Sequence, residues 1–243
     1  MAELSFETLE PRELLSATVS FQGGTLLVRG DAASDAIRID GDGYDTGTVE
    51  VFHDTDRDGT VDTSLGVFHG VKNIKVDGRG GSDAIGIYRV DIDGNVNVRL
   101  GTDRDGLFVL QSDIGGDVSI VNGGGGDGLQ FRSNTIGGDV IIKSRLGNDD
   151  AQVFVNTVGG RLDFRLGIGN DTIALYNNTI GEPSILRGGP GRGDLFITNN
   201  QPDPENMTLK KVEKVLPSYP GTLGLELSGF YDDLLFRVLG INA

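Results

Sequence analysis

The chain of 243 residues contains no cysteine and no tryptophan, and its two histidines are His53 and His69. Without cysteine there is no disulfide framework, no thiolate metal site and no thiol nucleophile. Two histidines are too few for a histidine-built zinc site, and they make a Ser-His-Asp relay a poor expectation. Proline is scarce, at 7 residues. With no three-residue glycine period beside it, that excludes a collagen-like rod and argues against a disordered linker. No stretch approaches the roughly 20 apolar residues of a membrane span. Basic residues are in deficit: 21 Lys and Arg face 36 Asp and Glu, a formal net charge of −15. Such a balance disfavours nucleic acid and anionic membranes as partners and favours cations or basic surfaces. The first 18 residues lack a basic start and carry Glu3, Glu7, Glu10 and Glu13, so they do not read as a secretory signal.

What the chain has in excess is glycine, 39 residues, about twice the usual share. It also has a period. Asp83, Asp105, Asp127, Asp149 and Asp171 are evenly spaced, and the next step lands on Gly193 beside Asp194. Two residues after the anchors come Ile85, Leu107, Leu129, Ala151, Ile173 and Leu195; four after come Ile87, Val109, Phe131, Val153, Leu175 and Ile197. Further apolar positions recur at Ile92, Ile114, Ile136 and Val158, and at pairs such as Val96/Val98 and Val118/Ile120. The alternation is that of strands, and the Gly-rich and Gly/Asp/Asn clusters between them are turn chemistry. A unit of about 22 residues cannot bury its own apolar face, but identical units stacked one strand spacing apart can. The expected fold is all-β: a parallel β-helix, or solenoid, of about seven 22-residue coils with terminal caps.

Ser112, Asn134, Asn156, Asn178 and Asn200 form another column. Stacked asparagines at a corner can bond the next coil and tolerate left-handed backbone angles. This resembles the asparagine ladder of right-handed β-helices, over residues 67 to about 209, and the resemblance implies that hand. Leu26, Val28, Asp35, Ile37 and Ile39 repeat the pattern upstream at a spacing that leaves one coil with an insertion within about 40–70. The expected organisation is therefore a cap at 1–18, the β-helix at 19–210 and a second cap at 211–243, where Leu223, Leu225 and Leu227 alternate like a strand.

The insertion holds the clearest chemistry. Asp54-Thr55-Asp56-Arg57-Asp58-Gly59-Thr60-Val61-Asp62 places oxygen donors at alternate positions, with glycine at the sharp turn. Asp54, Asp56, Asp58, the Thr60 carbonyl and Asp62 are the expected ligands of a calcium ion. The stretch resembles the calcium loops of dockerins, thrombospondin type 3 repeats and EF-hands. Leu65 replaces their twelfth-position glutamate, which implies weak binding, of about 10⁻⁴–10⁻³ M. Eight acids within residues 40–62 face Arg57 alone, so the alternative is a solvated acidic hairpin. Turns such as Gly188-Gly189-Pro190-Gly191-Arg192-Gly193-Asp194 resemble, in degenerate form, the ion-binding repeat of RTX proteins. Glycines and aspartates at a tight corner need no ion, however.

Arg99, Lys143, Arg165 and Arg187 form a basic stripe, read here as offsetting the neighbouring aspartates. The competing reading is a polysaccharide lyase or glycosidase working on an acidic glycan along that face; no acid pair or tryptophan platform accompanies the stripe. Leu9-Glu10-Pro11-Arg12 with Leu14-Leu15 resembles the LEPR-xLL motif near the start of many bacterial surface-associated proteins, which implies sorting or export. Together these features predict a calcium-binding, secreted or cell-surface structural or adhesive protein more readily than an enzyme. An extracellular glycan or a surface protein is the expected partner, without nucleic acid and without a membrane span.

Overall fold

The structure, a computed structural model, describes residues 17–57, 60–191, 193–198, 207–210, 212 and 214–217. Both expected terminal caps lie almost wholly outside the described residues, as do Asn200 and the LEPR-xLL stretch. Among the described residues every regular element is a strand, and no helix is long and apolar enough to cross a membrane.

The strands stack into sheets of nine, ten and five. Sheet A begins with Thr18–Gln22 and Thr25–Arg29 and ends at Met207–Lys210. Sheet B includes Ala36–Gly41 and ends at Lys214–Pro217, and sheet C stacks two-residue strands from Asp91–Ile92 to Thr179–Ile180. Within these columns equivalent residues pair in parallel, as Leu107 does with Ile85 on one side and Leu129 on the other. The result is a β-solenoid of about six turns of 22 residues, close to the seven expected. One longer turn, of 48 residues from Asp35 to Asp83, precedes them and holds the insertion.

The predicted apolar columns point inward. Leu26, Ile74, Val96, Val118 and Leu162 from sheet A face Ile37, Ile85, Leu107, Leu129 and Ile173 from sheet B, all essentially inaccessible. Burying each such side chain contributes about 1.5–3 kcal/mol. The small Ala151 lies in the turn that supplies the fully buried Phe164 ring. At the last repeat the expected register, with Leu195 two residues after the anchor, is off by one residue. Asp194 takes the anchor position, accepting the N–H of Asp171, and Phe196 and Thr198 pair with Ile173 and Leu175 instead. The turn absorbs the extra residue because the anchor bond, rather than the count, sets the register.

Corners carry their own bonds. Between sheets B and C the Oδ1 of Asn134, Asn156 and Asn178 each accepts the N–H of its counterpart one coil earlier, at 3.0 Å. The left-handed angle, however, falls one residue before the ladder, on Arg89, Gln111, Ser133, Val155 and Asn177, at φ of 49 to 56°. Between sheets A and B the coils come too close for a side chain. A Cβ on Gly123 would lie 1.3 Å from the carbonyl oxygen of Gly101, which explains part of the glycine surplus.

The insertion closes one end of the core. Val49–His53 runs antiparallel to Ala36–Gly41, and Thr63–Phe68 runs antiparallel to Val49–His53, which extends sheet B beyond its first coil. Thr18–Gln22 adds to sheet A in the same way through the Gly23-Gly24 turn, and the Phe21 and Phe68 rings meet at 6.0 Å. Val49 and Val51 are buried in the core, so the insertion is an end cover as well as a loop carrier.

Two substitutions test the corners. Val155 is the β-branched member of the left-handed column, and Val155→Asn should stabilise by about 1 kcal/mol, a rise of about 2–4 °C in Tm. An unchanged or lower Tm would remove the strain argument. Asn156→Leu strips acceptors from Asn134 and donors from the carbonyls of Phe131 and Phe154. Chemical denaturation should show a loss of about 2–4 kcal/mol, and a loss below about 0.5 kcal/mol contradicts the ladder.

Candidate metal centre

The loop joining Val49–His53 to Thr63–Phe68 folds back on itself through Asp62. Its Oδ2 accepts the Thr55 N–H at 2.7 Å, the Thr55 hydroxyl at 2.6 Å and, more weakly, the Asp56 N–H at 3.3 Å. Those bonds, the Thr55 hydroxyl foremost, hold the Asp62 carboxyl below the usual range and keep it ionised at neutral pH. Asp54 is fixed from the other side, where its N–H donates to the Ala36 carbonyl at 3.0 Å and its side chain is buried.

Asp54, Asp56 and Asp62 each place a carboxylate oxygen within 4.8 Å of the others. Calcium takes oxygen ligands at about 2.3–2.6 Å, so ligands on opposite sides of one ion stand about 4.6–5.2 Å apart. The three carboxylates fit that span, and an all-oxygen donor set suits a hard cation. The Nε2 of His53 lies 3.2 Å from Asp35 Oδ1, facing a different carboxylate. Asp58 lies outside the described residues, and Thr60 is an exposed residue of the bend before Asp62. Of the other acids in the insertion, Asp40 pairs with Arg38, Asp42 caps its own turn through the N–H groups of Tyr44 and Asp45, and Glu50 accepts the Ser64 hydroxyl. Among the described residues, Asp54, Asp56 and Asp62 are the acids of the insertion that converge.

Sequence reasoning did not foresee what the anchor aspartates do. They are buried, at 0 to 4% exposure, and each Oδ1 accepts the backbone N–H of the anchor one coil earlier, as Asp105 does for Asp83 at 2.8 Å. The second oxygens of Asp83, Asp105, Asp127 and Asp171 are buried with no hydrogen bond among the described residues. Burial pushes the carboxyls of Asp83 and Asp127 up to about 8, and those of Asp105 and Asp171 up to about 7. It pushes Asp149, which Ser144 also reaches, up to about 6. The backbone N–H bonds oppose this rise, and like charges add to it for Asp83, Asp127 and Asp171, whose neighbours include Asp35 and Asp194. Asp103 adds to it for Asp105, while Arg57 and Arg104 oppose it at Asp83 and Asp127. The basic stripe does not offset this column. Arg165 and Arg187 pair instead with Asp163 on the outer face of sheet A, at 2.8 and 2.7 Å.

Comparison with protein-family models, with curated proteins and with solved structures gave no match. The chemistry of the chain therefore rests on its own geometry.

The column has a consequence for stability. Each raised carboxyl has a folded pKa above its unfolded value near 3.9. Its favourable contribution is complete below about pH 4 and is lost as the pH rises through about 6 to 8. Thermal melts in EDTA should give a higher Tm at about pH 5 than at about pH 8.5, and Asp127→Asn should flatten the difference. A Tm that is constant or climbs across that window contradicts a protonated column.

Proposed function

We propose that this chain is a calcium-binding, secreted or cell-surface β-solenoid with a structural or adhesive role. The observation that carries the reading is the approach of Asp54, Asp56 and Asp62 within 4.8 Å, in a loop held by strands that close the end of the core. Asp58 and the Thr60 carbonyl complete the ligand set in this reading, as the alternate spacing of Asp54-x-Asp56-x-Asp58-Gly59 requires. An ion there neutralises three crowded carboxylates and fastens the connection between the two end strands, so binding adds stability where the solenoid would otherwise fray. Millimolar affinity, implied by the absence of a twelfth-position glutamate, matches calcium outside cells rather than inside them. The LEPR-xLL-like start at Leu9–Leu15 supports the same setting. Against the lyase reading, Arg165 and Arg187 are both held on Asp163, so neither arginine is poised as a base.

The test is a melt in EDTA and in millimolar calcium, repeated on Asp56→Ala/Asp58→Ala. At about 10 mM calcium, about 10 to 100 times a dissociation constant of about 10⁻⁴–10⁻³ M, binding adds about 1.4–2.7 kcal/mol, a rise of about 3–10 °C for a chain of this size. The rise should vanish in the variant. No rise in the parent leaves an acidic hairpin, and a rise retained in the variant moves the ion to another site.

A further inference from the structure

Alternate residues of sheet B face away from the core, and that outer side is closed. Phe108 lies between the core residues Leu107 and Val109, so its ring points to the opposite face. Strand pairing places Gly86, Gln130, Gln152 and Ala174 in the same outward column. Phe108, Gln152 and Ala174 are nonetheless 0 to 1% exposed, and Gln130 is 5%. Gln130 Nε2 donates to Gln152 Oε1 at 3.3 Å, so the two amides serve each other away from water. The outward column of sheet A differs: Lys75 and Asn97 are exposed, and Ser119 and Ile141 are half-buried. Among the described residues no strand packs on the outer side of sheet B. The burial holds within a single chain, so the cover belongs to the chain itself and not to a second copy.

Residues 1–16 and 218–243 are the long stretches outside the described residues. The first leads into Thr18–Gln22, the outermost strand of sheet A. The second follows Lys214–Pro217, the outermost strand of sheet B itself. From there to Gly106–Leu110 is five strand spacings, about 24 Å, which about eight extended residues or about 16 helical ones can span. Pro220-Gly221 is a turn signal just after that strand, and Leu234-Leu235-Phe236 and Val238-Leu239 form an apolar run beyond it.

We propose that the outer face of sheet B is a docking surface for residues 218–243 of the same chain, whose apolar run covers the column from Phe108 to Ala174. The segment then lies along the flank of the solenoid rather than across its end. Docked, it withholds from other chains an apolar face of the kind that drives association. The inference is independent of the calcium reading.

The chain has no cysteine, so one introduced thiol reports on its own site. Ala174→Cys should react slowly with dithionitrobenzoate, and at least tenfold faster when Leu235→Asp/Phe236→Asp is added. Ser119→Cys, on the outer face of sheet A, should react fast with or without the two aspartates. Val98→Cys, in the core, should stay slow in both backgrounds, which shows that the solenoid survives. Leu14→Asp/Leu15→Asp in place of the later pair should leave Ala174→Cys within twofold. Fast reaction of Ala174→Cys alone, or no effect of the Leu235/Phe236 pair, would overturn the proposal. So would acceleration by the Leu14/Leu15 pair, a rate at Ala174→Cys that quickens on dilution, or equal acceleration at Val98→Cys.

Discussion

At each corner of the solenoid the chain leaves one sheet before it joins the next, and some backbone N–H groups there lie beyond the reach of a sheet ladder. A buried amide without an acceptor costs about 1–3 kcal/mol, and this cost recurs in every coil. The fold meets it with side-chain oxygens from neighbouring coils. Anchor aspartates serve the corner between sheets A and B, and asparagines serve the corner between B and C. Between C and A the ladder of Asn73, Asn95, Asp117 and Asp139 runs the other way, each accepting from the following coil. A side chain of two or three heavy atoms past Cβ reaches across one strand spacing and no further. Coil length is thereby locked: a residue added to a turn must be looped out, as at Asp194, rather than passed along the sheet.

This constraint explains what could be read from the sequence. The apolar columns and the asparagine ladder were visible because they repeat, and repetition reports stacking directly. The insertion was visible only as a break in the period. That it closes the core is a tertiary fact: Val49 and Val51 look like any short alternation until they pair with Ala36–Gly41. The left-handed column was missed because Arg89, Gln111, Ser133, Val155 and Asn177 share no side-chain chemistry; the backbone path imposes the angle on all of them. The inward turn of the anchor aspartates was missed for a different reason. Aspartate beside glycine has the composition of a solvated turn, and nothing in the pattern distinguishes a carboxylate facing water from one facing the next coil's amide. For the acidic loop, the alternate spacing pointed to Asp54, Asp56 and Asp62, which do approach one another. It could not show that Asp40, Asp42 and Glu50 are committed elsewhere, since those bonds depend on strand pairing.

The end of the solenoid joins two requirements. An uncovered first coil would expose both apolar columns and an unpaired sheet edge, a template for association with other chains. Antiparallel strands close it, since they return the chain over the edge without a full coil. The return needs a loop, and Asp54, Asp56 and Asp62 lie in that loop or at its junctions with the two strands. In the proposed reading, ion binding and end closure act on the same few residues, which would make the cover the part of the fold most sensitive to the ionic environment.

Charge is sorted by depth and by side. The formal sum of −15 counts every aspartate as ionised, although burial raises five of the anchor carboxyls to between about 6 and 8. Protonation of these carboxyls would reduce the repulsion that a stack of carboxylates at one strand spacing otherwise imposes along the core wall. Ionised acid is concentrated instead at the covered end, where Asp62 and Asp42 are held below the ordinary range by hydrogen bonds. The basic column lies on the outer face of sheet A, separated from the anchors by the sheet itself and by the corner glycines. A solenoid makes such sorting simple: any property placed at one position of the repeat becomes a line along the axis, and different positions give different lines. In this chain one position gives a line of buried carboxyls and another an exposed line of cations. The insertion, which belongs to no repeat, is where, among the described residues, buried Asp54 meets exposed Asp56 and Asp62.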